Sequence, residues 1–503
     1  MGLPDKQRRF PLAVSDLWRW DGSIDRGPYI FYGVTLSGIK YGIDSFVSWT
    51  FFHKPWSFLN YIMPGQSLDL LALQPQEVTY LLAMISLALP FIWTGTTLTL
   101  RRLRGAGLPP WLVKLFFVPV VNFIMFLTLC VMPTQEEPGI KLISEDDRSA
   151  LVPLERGEID GKKPPEAATA AEQKPLPVLY SKDERSRSAL FAICSTVPIA
   201  SLALWFGTIY LQGYGWWLFI ALPFAMGMAP AYLYGKEYPR PFKECALVSM
   251  AAVTLFGIAI FFYAWEGAIC LLMAAPIGYA IAMIGCWLGW SIQRRPLPAR
   301  EQKLIMSLIL LVVPVLMGAE YSEKPEPPLC AVTTSIIVPA PPDKVWPNII
   351  AFPELKPPDE PIFYSGIAYP VGATINGKGA GAVRKCRFST GAFVEPITVW
   401  QEPNLLKFSV IAQPPPMREF SWRHEIQPAH LHGYLKIHGG QFQLTPVVQP
   451  DGSVFTEIRG TTWYQNQMFP ASYWRFWTDY IMHEIHSRVL RHIKSVTVTA
   501  GSS

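Results

Sequence analysis

The chain has 503 residues, half of them hydrophobic and only 16% charged, against roughly 25% charged in soluble proteins. Its charges crowd into residues 1–26, 133–187 and beyond 320, leaving apolar runs that meet the roughly 20 residues a bilayer requires. A soluble single-core protein is thereby excluded, and the net charge of +5 is what Lys/Arg membrane flanks produce, giving no sign of nucleic acid binding.

Residues 1–29 are polar and carry no short apolar core with a cleavage site, so no cleavable signal peptide is expected. The first apolar run, about 29–52, contains Lys40 and Asp44, four apart and therefore on one helical face. At membrane depth such a pair is either a relay or ligand site, or a buried structural ion pair. A second run, about 79–100, ends at Arg101, Arg102 and Arg104. A third, 111–132, is interrupted by Pro119 and Asn122, which leaves open whether it spans or re-enters.

The segments WRWDGSIDRGPYIFY (18–32) and RRLRGAGLPPWLVKLFFVPVVN (101–122) resemble the bacterial inner-membrane family called domain of unknown function 805, over about residues 15–135. Asp21-Gly22-Ser23 stands where that family has its first Gly-Arg, and Arg104-Gly105 where it has His-Asp. The resemblance implies a membrane module and no assigned activity.

Residues 133–187, rich in Glu, Asp, Lys, Pro and Ala, read as a disordered charged linker. Four runs follow at about 189–211, 216–234, 245–265 and 267–292, then the short run 304–318 with Pro314 inside it. Gly213, Gly215 and Gly227 offer close helix contact, but they form no clear GxxxG seam. Glu266 separates two of these runs and shares a helical face with Cys270 and Met273. That face reads either as a soft-metal or proton site, or as a carboxylate capping a helix at the water interface. The seven cysteines show no metal-site spacing and imply no disulfide framework. Lys/Arg flanks put the N-terminus, Lys236/Arg240/Lys243 and Arg294/Arg295/Arg300/Lys303 in the cytoplasm, with the turns near 213 and 266 outside. The expected organisation is about eight apolar segments in two membrane modules (1–132 and 188–320), the linker 133–187 and a soluble domain at 331–497.

In the soluble part the pattern changes to period two. AVTTSIIVPA reads as strand and PPDKVWPNIIAF as a short helix. Strands are expected at about 361–369, 380–389, 392–400, 405–413, 432–447 and 453–465, and a long helix from about 471 to 496. This order is α+β. VTTSIIVPAPPDKVWPNIIAFPEL and GKGAGAVRKCRFSTGAFVEPITVWQEPNLLKFSV, with the closing helix, resemble the START-like (SRPBCC, polyketide cyclase/dehydrase) superfamily. The resemblance implies a helix-grip fold: a curved antiparallel sheet around the last helix, with an apolar cavity between. Members mostly bind hydrophobic ligands and a minority are cyclases or aromatases; no shared catalytic set can be carried over.

Candidate ligand-binding residues are Arg384, Glu395, Trp400 and Trp463 on strands, with Trp477, His483 and Arg488 on the last helix. Arg488 and His483 suit polar anchors in an apolar pocket; alternatively Arg488 snorkels or pairs with a strand carboxylate such as Glu395. The last helix is apolar on two sides, which suits the sheet on one and a further partner or cavity on the other. His483 and His486 lack the i, i+4 spacing of a metal helix, so no metal and no cofactor are expected. His424, His430, His432 and His438, among Pro and Gly, read as loop or exposed strand histidines. GKGAG (377–381) leads into a strand and reads as a turn. Three readings of function follow. The first is a membrane-anchored binding protein for a lipid or hydrophobic small molecule, in the bacterial inner membrane with its C-terminal domain extracytoplasmic. The second is a cyclase- or dehydratase-like enzyme using His483, Arg488 or Glu395 as acid–base groups, and the third a structural or assembly protein of the envelope.

Overall fold

Proline placement and glycine spacing decide how the apolar runs become helices. A computed structural model of the chain describes residues 14–62, 75–118, 120–134, 182–295, 298–323, 326–422 and 425–501; most of the expected linker therefore lies outside the described residues. The first module contains α1 (Arg26–Phe52), the single turn α2 (Leu59–Ile62), α3 (Pro75–Gly105) and α4 (Val121–Val131). The run at 111–132 is not one helix: a 3-10 stretch, Pro110–Phe117, precedes α4, with Val120 at φ 65° between them. At 11 residues, α4 is about 16 Å long, roughly half the hydrocarbon core of a bilayer.

The arginines that end α3 are not all solvent-facing flanks. Arg101 and Arg102 are buried. Arg101 donates to the Asp16 carbonyl at 2.7 Å, while Arg102 reaches the carbonyls of Leu129 (3.1 Å) and Met132 and the Thr134 hydroxyl (3.2 Å). A guanidinium on the last carbonyls of α4 satisfies acceptors that the helix itself leaves open, and complements its dipole.

The second module is α5 (Lys182–Ile209), a π turn Trp217–Ala221 running into α6 (Leu222–Tyr234), α7 (Phe242–Phe262), α8 (Ala268–Gln293) and α9 (Ala299–Glu323). Among the described residues, five helices are long and apolar enough to cross a membrane: Gln76–Gly105, Glu184–Ile209, Trp217–Tyr234, Phe242–Phe262 and Ala268–Gln293. The described residues do not confirm the expected count of about eight apolar segments. The α6–α8 contact is a small-residue seam. A Cβ on Gly285 would fall 2.1 Å from the Phe224 carbonyl oxygen, and one on Gly289 2.3 Å from that of Met228. Gly285 and Gly289 are the GxxxG pair that the sequence reading did not single out. At the far end of α9, Glu320 accepts the Trp217 backbone N–H at 2.9 Å.

The soluble domain runs β1 (Cys330–Val338), α10 (Pro342–Ile350), β2 (Pro370–Asn376), β3 (Val383–Phe388), β4 (Gly391–Gln401), β5 (Leu405–Ser409), β6 (Glu419–Phe420), β7 (Glu425–Ile426), β8 (Leu435–Val448), β9 (Val454–Asn466) and α11 (Ala471–Gly501). Seven strands form one antiparallel sheet in the order β1-β9-β8-β5-β4-β3-β2, and β6–β7 is a separate two-stranded ribbon. The strand expected at 361–369 is instead a 3-10 turn, Pro361–Ser365, closed by Gly366 at φ 103°. The strand itself starts at Pro370, because that turn breaks the extended path. GKGAG is a turn, with Gly377, Gly379 and Gly381 all at positive φ, where glycine carries no Cβ penalty.

The long helix α11 serves two cores. Val489, Leu490 and Ile493 pack with Ile397, Leu406, Leu444 and Ile458 of the sheet. Its first turn does something different: Trp474 and the preceding Phe469 join the apolar cluster of the membrane module, with Trp477 and Ile481 packed beside them. The N-terminal end of the one apolar stripe therefore meets the membrane module, whereas Phe476 and Tyr480, on the expected second apolar side, are exposed.

Candidate binding site at the domain–membrane seam

Two cavities compete for the role of ligand site. The one between sheet and helix is small, about 110 Å³, and is lined by Arg384, Phe393, Glu395, Phe408, Met482 and Val489 among others. Ligand pockets usually hold about 300–1,000 Å³, so bulky side chains have filled the space the helix-grip resemblance implied. Arg384 and Glu395 face each other in register across β3 and β4 and form a buried ion pair. The Arg384 guanidinium also donates to the Ile350 carbonyl at 3.2 Å and lies within 6 Å of the Phe352, Phe408 and Phe442 rings. Burial pushes the Glu395 carboxyl up, against the pull of the guanidinium.

The other candidate residues do not line this cavity. Trp400 stacks edge-on with Trp346, and Trp463 lies under the Lys407 ammonium. Trp477 packs on the membrane cluster. His483 shares the Thr334 hydroxyl with His486, at 2.9 and 3.1 Å. Arg488 pairs with Glu360 at 3.4 Å, not with Glu395, and donates to the carbonyls of Pro370 and Lys356. His483, Arg488 and Glu395 thus hold three separate partners, and the acid–base set of the enzyme reading does not converge.

The larger cavity, about 490 Å³, lies at the seam. Its walls come from α7 (Val253, Phe256, Gly257, Phe261) and α8 (Cys270, Leu271, Ala274, Gly278), with Leu204, Leu218 and Phe219 behind. His430, Met468 and Trp474 of the domain close it. Direct contacts hold the roof in place. The Trp422 indole donates to the Phe262 carbonyl at 2.7 Å, and the Tyr473 hydroxyl to that of Met273 at 2.5 Å. Tyr434 donates to the Gln212 carbonyl.

Polar groups gather at one end of this cavity. Glu266 is not a water-facing cap: it is buried, accepts the Tyr214 hydroxyl, and lies 3.1 Å from His430 Nδ1. His430 Nε2 is 3.0 Å from Cys270 Sγ. His430, in the short 3-10 turn Ala429–Leu431 between β7 and β8, is therefore a loop histidine, but a buried one. Burial opposes a charge on its ring, but Cys270 and Glu266 outweigh that and hold it well above the ordinary histidine range. Sequence reasoning missed Tyr214, Glu419 and His430, because nothing local marks them; only the facing pair Glu266 and Cys270 was visible, as a helical spacing.

In the first module, Lys40 and Asp44 form an ion pair with the Asp44 carboxylate fully buried. Asp44 also accepts the Tyr61 hydroxyl at 2.5 Å, and the Lys40 ammonium lies 5.4 and 5.7 Å from the Tyr61 and Phe91 ring centroids. The pair ties α1 to α2 and α3.

Residues 17–139 match the model of the family described as protein of unknown function (DUF805). No curated protein matches the chain. Among solved structures, a norcoclaurine synthase point mutant from Thalictrum flavum is 14% identical, with TM-score 0.24, over 34% of this chain and 96% of that one. The Zhui aromatase/cyclase from Streptomyces sp. R1128 is 11% identical, with TM-score 0.22, over 34% of this chain and 93% of that one. The strand order and helix packing described above define a multipass helical membrane protein fused to a helix-grip α+β domain.

Proposed function

We propose that this chain is a membrane-embedded binding protein for a lipid or other hydrophobic molecule, held beneath the helix-grip domain rather than inside it. The observation that carries this reading is the 490 Å³ seam cavity, apolar over most of its wall and within the usual range for a small-molecule site. Exposed Leu255, Ile258 and Leu272 lie on the two helices that wall it, so hydrocarbon surrounds the cavity and an apolar ligand enters from the bilayer.

Native mass spectrometry of the full chain released from mild detergent tests the idea. A hydrophobic molecule of fixed mass is expected to remain bound. Gly278 lines the cavity and has nothing within 4 Å of its would-be Cβ, so Gly278→Phe fills the space without a clash at the backbone and abolishes that species. A folded wild-type chain with no retained molecule, or one unaffected by Gly278→Phe, overturns the reading.

The same proposal puts the chain in a bacterial inner membrane with the domain extracytoplasmic. Lys236 precedes α7 and Lys243 lies in its first turn, Arg294 follows α8 and Arg300 lies in the first turn of α9, at helix ends opposite those meeting the domain; such charges favour the cytoplasm. A periplasm-dependent reporter fused after Ser503 is expected to be active; activity of a cytoplasmic reporter there instead sinks this orientation.

A further inference from the structure

Four titratable side chains meet at the seam from opposite directions: Glu266 and Cys270 from the membrane module, Glu419 and His430 from the domain. The donor atoms of Cys270, Glu419 and His430 all lie within 4.8 Å of one another. His430 Nε2 is 3.0 Å from Cys270 Sγ and 3.8 Å from Glu419 Oε1. A tetrahedral zinc ion, with bonds of about 2.3 Å to sulfur and about 2.0 Å to nitrogen or oxygen, holds its donors about 3.5 Å apart, so shifts of about 1 Å bring all three into range.

Two independent features fit a metal ion at that point. Glu419 is fully buried, yet neither carboxylate oxygen receives a hydrogen bond among the described residues. The nearest charge partner among the described residues, His430, stands off at 3.8 Å, and a buried carboxylate without a donor is disfavoured unless it is paired more closely or bound to metal. The second feature is the orientation of His430. Its Nδ1 faces Glu266, whose other oxygen accepts the Tyr214 hydroxyl, and its Nε2 is thereby aimed at Cys270 and Glu419. A carboxylate on one imidazole nitrogen with the other turned toward a thiol and a second carboxylate is the arrangement that positions a histidine ligand.

We propose that Cys270, Glu419 and His430 bind a divalent transition-metal ion, zinc by donor type, with Glu266 as the positioning residue for His430. The mixed thiolate, imidazole and carboxylate set suits zinc and not the all-oxygen shells of magnesium or calcium. Binding releases the Cys270 thiol proton and takes His430 as the neutral imidazole. The Met417 thioether, 3.9 Å from Cys270 Sγ, borders the site. Since Cys270 comes from α8 and the other two ligands from the domain, the ion joins the two parts of the chain.

The test uses the full chain purified in detergent without chelator. Elemental analysis is expected to find about one zinc per chain. After the metal is stripped, added cobalt(II) is expected to give a thiolate charge-transfer band and ligand-field bands of tetrahedral strength. Cys270→Ser and His430→Gln should each remove the band, Glu419→Gln should weaken binding at least ten-fold, and Glu266→Gln ten- to hundred-fold as an orienting partner does. Cys194→Ser, at an exposed cysteine elsewhere, serves as the control and should change nothing. A folded wild-type chain that neither retains zinc nor develops the cobalt band overturns the proposal, even if a ligand variant fails to fold. So does a band that survives Cys270→Ser.

Discussion

The Trp474 indole meets the Phe219 ring edge-on, with 4.8 Å between centroids. One residue opens the last helix of the soluble domain and the other lies in the π turn that leads into α6. The two parts of the molecule thus share a core. Truncating Trp474 to alanine should cost about 3–5 kcal/mol, and a double-mutant cycle with Phe219→Ala should show about 0.5–1.5 kcal/mol of coupling. Thermal melts of the detergent-solubilised chain measure both; strictly additive losses would show that the rings do not support one another.

The Arg384–Glu395 pair makes a second prediction. Arg384→Met strands a buried carboxylate and should destabilise the domain by about 3–5 kcal/mol. Arg384→Met combined with Glu395→Leu should recover most of that loss, because a well-packed apolar pair replaces the ion pair. If the double variant is as unstable as the single one, the pair has a role beyond mutual neutralisation.

A third concerns pH. His486 is enclosed between the Thr334 and Thr462 hydroxyls; burial, helped by the neighbouring His483, lowers its pKa from 6.5 to about 4. The unfolded chain therefore binds a proton there before the folded chain does. Stability is complete above pH 6.5 and declines as the pH falls toward 4, with a contribution of about 3 kcal/mol from this group. His486→Gln should flatten the decline in melting temperature between pH 7 and 4.5 relative to wild type. An unchanged pH profile in that variant would assign the decline to other groups.

The membrane character and the α+β domain were legible in the sequence, because apolar run length and side-chain period are local properties. The position of β2 was not, since the turn that ends at Gly366 displaces it. Nor was the filled sheet cavity: Phe408 and Phe442 read as ordinary strand residues until their rings converge on Arg384. The seam was half visible. Glu266 and Cys270 share a helical face by spacing alone, but their counterparts Glu419 and His430 lie about 150 residues further on, in segments with no periodic signal. Contacts at that separation depend on how the domain docks, and docking leaves no local pattern.

Glu320, anchored on the Trp217 amide, ties the end of α9 to the start of the π turn. From the end of α9 at Glu323 to the start of β1 at Cys330, seven residue steps reach at most about 25 Å when fully extended. The domain is on a short leash. Even undocked, it could not reach further from the end of α9 than that. Under the proposed ligand-binding role, any exchange with the cavity therefore happens close to the end of α9.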